Sequence, residues 1–146
     1  MDGDEERWAQ YATAVLRIEV ERGVWVALNG PDGAAVLPVR PPVFLLTAWD
    51  PFGERRTPEE NAAANERLAT DLQLLGAEVL RAIGSDARTG YGEEGFAVVG
   101  VPRDDVIEVA RHFDQEAIYE VDADAVAIVS CVDGRAVGIA RTATVR

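Results

Sequence analysis

Hydrophobic and polar positions change their spacing several times along the chain, and each change marks an element. In "DEERWAQYATAV", Trp8, Ala12 and Val15 recur at helical spacing, and acids in the first turn complement the helix dipole. The period then drops to two. Leu16, Ile18 and Val20 alternate with Arg17, Glu19 and Glu21, the pattern of a half-buried strand. "GVWVAL" follows as a second strand, so "ERG" forms a hairpin turn. "NGPDG" (Asn29 to Gly33) is dense in turn formers. "PVRPP" reads as a stiff extended connector, because its prolines cannot donate to a central ladder.

"VFLLTA" is a continuous apolar run of strand length, consistent with a central strand buried on both faces. A loop precedes the clearest helix start in the chain. In "TPEEN", Thr57 suits the N-cap, Pro58 the first helical position, and Glu60 completes a capping box with Thr57. This helix runs to about Gly76, which suits the left-handed position beyond its end. "AEVLRAIG" is the next strand, "SDARTGYG" a loop and "EGFAVVGV" another strand. "PRDDVIEVARHF" is a second helix with Val106, Ile107, Ala110 and Phe113 on its inner face. "EAIYEVD" is a strand, and "DAVAIVSCVDGRAVGIART" closes the chain as a hairpin around "DG".

From Val43 onward the order is strand, helix, strand, strand, helix, strand. That order predicts an α+β fold with a ferredoxin-like split βαβ core over about residues 43–130. The sheet would be antiparallel-rich, with both core helices on one face. The N-terminal helix and hairpin (residues 4–37) and the C-terminal strand would extend it. At 146 residues and 48% hydrophobic, the chain fits one such domain, residues 1–146.

The first long helix carries an anomaly. Its apolar stripe is Leu68, Leu72 and Leu75, and stepping back at the same interval gives Asn65 and Asn61. Two amides therefore face the core, where they must find partners or cost several kcal/mol. Thr47, Asp50 and the loop backbone offer partners if "LLTAWDPFG" folds onto the helix start. Two readings follow. The amides tie the loop down as a closed network, or they line a cavity at the end of a central strand, where ligands commonly bind. A helix N-terminus there would favour an anionic or carbonyl-bearing ligand.

The quoted segments "LLTAWDPFG", "TPEENAAANERLATDL", "GYGEEGFAVVG" and "ARHFDQEAIYEV" resemble the DUF3293 family of uncharacterised bacterial proteins. The resemblance covers about Val43 to Val121. It rests on Thr47, Ala48, Trp49 and Pro51; on Thr57, Glu60 and Asn61; on Glu94 and Phe96; and on Phe113 and Gln115. This chain has Asp50 where the family pattern has asparagine, which adds a charge at the expected pocket. The resemblance implies no activity. It does imply that Glu94, not Glu93, faces inward, since neighbours on a strand point to opposite sides.

Composition narrows the chemistry. The net charge is −12, and all 14 basic residues are arginine, the usage of a GC-rich genome. A general nucleic-acid binder needs the opposite sign. An acidic surface serves solubility, or mimicry of nucleic acid toward a basic partner. One cysteine excludes an internal disulfide. No apolar run approaches the roughly 20 residues that span a bilayer, and "MDGDEERW" lacks the positive start of a secretory signal. A cytoplasmic protein with no membrane association is expected. His112, the only histidine, suits the helix C-terminus where it falls. Cys131 reads as a buried inert thiol, and Arg88 as a solvated loop residue or an anion clamp.

The expected function is therefore a small binding or accessory domain for an unidentified small molecule or protein. Its polar pocket would be formed by Thr47, Trp49, Asp50, Asn61 and Asn65, with Glu94 and Gln115 contributing. No cofactor is evident. In the alternative, an enzyme would use Asp50 and Glu94 to hold Mg²⁺ or share a proton. A third reading is an acidic mimic or inhibitor. Oligomeric state is not encoded in the pattern.

Overall fold

Strand pairing organises the chain. The computed structural model describes residues 11–51 and 54–142. Among these, eight strands form one sheet: β1 (Ala14–Glu21), β2 (Val24–Ala27), β3 (Val43–Leu46), β4 (Glu78–Asp86), β5 (Gly92–Val99), β6 (Ala117–Val121), β7 (Ala125–Ser130) and β8 (Ala136–Ala140). Two helices lie between strands, α1 (Pro58–Leu74) and α2 (Arg103–His112). Residues 11–13 are also helical; the earlier part of the expected N-terminal helix lies outside the described residues. The spatial order is β2-β1-β4-β5-β3-β6-β7-β8, every pairing is antiparallel, and the sheet curls into an open half-barrel.

This architecture corrects the ferredoxin-like expectation. A four-stranded split βαβ core would end in free edges at β4 and β6. Here β1 pairs with β4, Ala14 opposite Asp86 through Ile18 opposite Ala82. On the other side β7 pairs with all five residues of β6. The terminal hairpins are thus integral parts of one continuous sheet. A twisted sheet of this width curls on itself, and curling creates an interior that a flat core with helices on one face would not have.

The register sends alternate side chains into two separate cores. On the helix face, Phe44, Leu46, Val98, Ile118 and Val129 pack with Leu68 and Leu72 of α1 and with Val106, Ile107, Val109 and Ala110 of α2. On the concave face, Leu16, Ile18, Val43, Leu45, Ala82, Ala97, Val121 and Val126 surround Leu28. All four residues of β3 are buried, as its unbroken apolar run predicts. The connector after β2 covers part of the concave face, where Leu37 and Val39 pack against the core. Arg141, only 3% exposed, holds that connector. Its guanidinium donates to the carbonyls of Leu28, Ala34, Ala35 and Ala123.

Local signals explain the element ends. The expected capping box forms: Glu60 N donates to Thr57 Oγ1 and Thr57 N to Glu60 Oε1, each at 3.1 Å. Gly76 ends α1 with φ of 77° and donates its N–H to Gln73 O. The expected loop 85–92 is shorter than its composition suggests. Asp86 closes a tight turn by accepting from Arg88 N and Thr89 N, so β4 and β5 run almost to its tip. These bonds, first that of Arg88, hold the Asp86 carboxyl below its ordinary range.

Gly95 marks the closest approach in the sheet. A Cβ there would press on Leu46 O and stand 3.0 Å from Leu46 C and Thr47 Cα. Gly95→Ala is therefore expected to push the end of β3 off β5 and cost about 1–3 kcal/mol. A urea midpoint unchanged from wild type would contradict this reading.

Candidate functional site

The concave face is not filled at the end where β3 leaves the sheet. The inward positions there are small: Ala14 on β1, Ala82 and Gly84 on β4, Gly95 on β5 and Ala117 on β6. The space they leave is a cavity of about 370 Å³, walled also by Thr47, Trp49, Asp50, Tyr91, Glu93, Gln115 and Tyr119.

The rim is the TAWDP turn, and hydrogen bonds fix its shape. Thr47 Oγ1 donates to Glu94 O at 2.6 Å and accepts from Trp49 N at 3.1 Å. Asp50 has φ of 45°, in the left-handed region that aspartate and asparagine tolerate best among non-glycine residues. The departure from asparagine therefore keeps the turn and adds a carboxylate. Asp50 Oδ1 accepts from Arg56 N at 2.9 Å and from Asn61 Nδ2 at 3.1 Å, while Asp50 N donates to Asn61 Oδ1 at 3.1 Å. Asn65 Oδ1 accepts from Ala48 N at 3.0 Å, and its Nδ2 donates to Glu94 O at 2.9 Å. Gln115 Nε2 reaches Trp49 O at 3.1 Å and Phe113 O at 3.3 Å.

Both amides on the α1 stripe thus point inward, and each uses its oxygen and its nitrogen on the turn or on Glu94 O. They build the rim and do not line the cavity, whereas Thr47, Trp49, Asp50 and Gln115 do. Asn61→Ala is expected to cost about 1–3 kcal/mol, because Asp50 N loses its acceptor. Thermal unfolding within a few tenths of a kcal/mol of wild type would show that the network is not needed.

Glu94 is not where the resemblance implies. Its side chain lies on the outer face, exposed, with its carboxylate 3.6 Å from Arg81. Glu93 points inward, opposite Gly84 in the β4–β5 register. Asp50 and Glu94 are therefore not brought together; Asp50 and Glu93 share the cavity. Burial, then the Asp50 charge, pushes the Glu93 carboxyl up to about 7. The Tyr91 hydroxyl is raised by burial, then by the charges of Glu93 and Asp50, against the pull of Arg55. Burial also raises Tyr119, whose hydroxyl donates to Tyr11 O at 3.1 Å and whose ring meets Tyr11 edge-on with centroids 6.0 Å apart. Among the described residues, Trp49 Nε1 is the buried side-chain polar atom without a partner.

The inward Glu93 and the tyrosines were missed from sequence. Period-two spacing does put Glu93, Gly95, Ala97 and Val99 on one face. With both faces apolar, however, it cannot say which face holds a cavity. The missed signal was the coincidence of Gly84 and Gly95 on that face.

The other candidates stay outside the cavity. A second hollow of about 350 Å³ lies over the start of α1, walled by the exposed Arg56, Glu60 and Arg67 and by Asn61. The Thr57 capping box occupies the helix end there, with Thr57 Oγ1 accepting from Glu60 N. His112 and Arg88 are exposed. Cys131 is buried, and burial outweighs the pull of Arg111 to push its thiol up to about 11, which leaves it protonated. Among the described residues, no three or more His, Cys, Asp or Glu side chains are grouped to hold a metal ion. No helix of the described residues is long and apolar enough to cross a membrane.

A family model described as a protein of unknown function, DUF3293, matches residues 46–118, half of the chain. The chain belongs to the DUF3293 family. No curated protein and no solved structure matches it. In this DUF3293 member the matched segment opens at the last residue of β3 and closes inside β6. It contains the whole rim network and Glu93. Tyr11, Tyr119 and the β1 wall of the cavity lie outside it.

Proposed function

We propose that this chain binds a small organic molecule in the half-barrel cavity. The cavity itself carries the reading. Its volume of about 370 Å³ falls within the roughly 300–1,000 Å³ of small-molecule sites. Its walls combine aromatic rings with a few convergent polar groups, and its rim is pinned by side-chain hydrogen bonds, so little order has to be gained on binding. The test is a ¹⁵N NMR screen with a fragment set of mixed charge. Hits should shift the amides of Tyr91, Glu93 and Tyr119. Gly84→Val should abolish those shifts without unfolding the chain. A Cβ at Gly84 meets only Leu16 Cδ2, at 3.6 Å, so the added methyl groups enter the cavity. Hits that map elsewhere, or that survive in Gly84→Val, would overturn the reading.

A second reading places proton transfer in the same cavity. It is favoured by one observation, the Glu93 carboxyl near 7 beside Asp50. A group poised near the working pH is what acid–base catalysis needs. Fragments consumed by wild type and left intact by Glu93→Gln would favour it. Fragments that bind and persist unchanged favour binding alone.

A further inference from the structure

Resting on the binding reading, we infer that the ligand is an organic cation, an ammonium or guanidinium group on a small apolar body. Three acidic residues stand at inward positions around the cavity, Asp50, Asp86 and Glu93, with one arginine, Arg55, on the same wall. Glu93 and Asp50 stand on adjoining walls, the start of β5 and the loop after β3. Among the described residues no ion pair neutralises Glu93. Two like charges at one poorly hydrated wall are unfavourable unless a positive group joins them. In the free protein a proton does this below about pH 7. An ammonium or guanidinium group would do it better, because cations are also attracted to aromatic rings, and Tyr91, Tyr119 and Trp49 line the same cavity.

The alternatives fit less well. An anionic ligand would meet the same uncompensated charge. A neutral polyol could use the rings and oxygens but would leave the two carboxylates without a counter-charge. The net charge of −12 adds a field that draws cations toward the protein from a distance.

Cation binding at this wall has a thermodynamic signature. A cation seated between Asp50 and Glu93 must displace the Glu93 proton, so its affinity rises with pH. Tyr91 and Tyr119 face Glu93 but stay neutral across this range, and Arg55 and Asp50 are the charged side chains on the adjoining loop. Asp86 is already ionised, since its carboxyl lies below the ordinary range.

The experiment titrates the full chain with benzylammonium, benzyl alcohol and benzoate by ¹⁵N NMR at pH 5.5 and pH 8. Benzylammonium should shift the cavity amides and bind about tenfold or more tightly at the higher pH. Glu93→Gln should weaken it and remove the pH dependence. Benzyl alcohol or benzoate binding the cavity as well as benzylammonium would overturn the cation and leave the cavity standing. So would cavity hits in the fragment screen that include no cation. A screen with no hits at Tyr91, Glu93 or Tyr119 would instead remove the binding reading itself.

Discussion

Arg141→Met should lose about 3–5 kcal/mol of stability. The reason is geometric. One guanidinium spans carbonyls from three stretches of chain: Leu28 at the end of the first hairpin, Ala34 and Ala35 in the connector, and Ala123 before β7. Methionine keeps much of the volume but none of the donors. Four carbonyls would then lose their partner, the link between the three stretches of backbone would weaken, and the cover over Leu28 would loosen. Arg141→Lys should recover only part of the loss, because an ammonium is a point donor and cannot bridge the same fork. Urea denaturation reads both variants. A midpoint for Arg141→Met close to wild type would mean that solvent readily replaces the arginine.

Glu93→Gln should have the opposite sign, and its size should depend on pH. Below pH 4.5, the ordinary glutamate value, the carboxyl carries its proton in both the folded and the unfolded chain and contributes nothing. Between 4.5 and about 7 the unfolded chain releases that proton while the folded chain keeps it. Rising pH therefore favours unfolding across this window. Above it the folded carboxyl is ionised beside Asp50, and the full cost of about 3 kcal/mol remains. Glutamine never ionises. The variant should match wild type near pH 4 and be about 3 kcal/mol more stable at pH 8. Carboxyls held below their ordinary range, those of Glu60, Asp86 and Asp133, destabilise both proteins equally at low pH. The difference between the two curves isolates residue 93. Parallel stability curves from pH 4 to 8 would place Glu93 in open water.

Local signals were legible in the sequence because their causes are local. The Thr57 box, the Gly76 end, the hairpin turns and the inward amides each depend on residues within a few positions. Strand identities were legible for the same reason. What escaped was which strand lies beside which. Nothing in Leu16 or Ile18 announces that their partners are Gly84 and Ala82, so an order of elements that suits a small split core was extended into the wrong architecture. The site suffered from the same gap. Asp50, Thr47 and Trp49 could be nominated because their turn meets the amides, and Gln115 because the family resemblance points to it. Glu93 needed the knowledge that its side of β5 opens on a cavity, which follows from sheet curvature and from two glycines on different strands. The family resemblance pointed at the neighbouring glutamate, and only the register separates the two.

The placement of β3 carries a consequence for motion. It is flanked by strands on both sides and roofed by a core on each face, and the rim of the cavity is its direct continuation. Its amides should be among the last in the chain to exchange with deuterium, while those of β8, at the sheet edge, exchange early. The turn at the cavity rim is thus anchored to the strand expected to open most slowly. Occupancy should register as added protection along that strand, and the outer hairpin of β7 and β8 should remain indifferent to it.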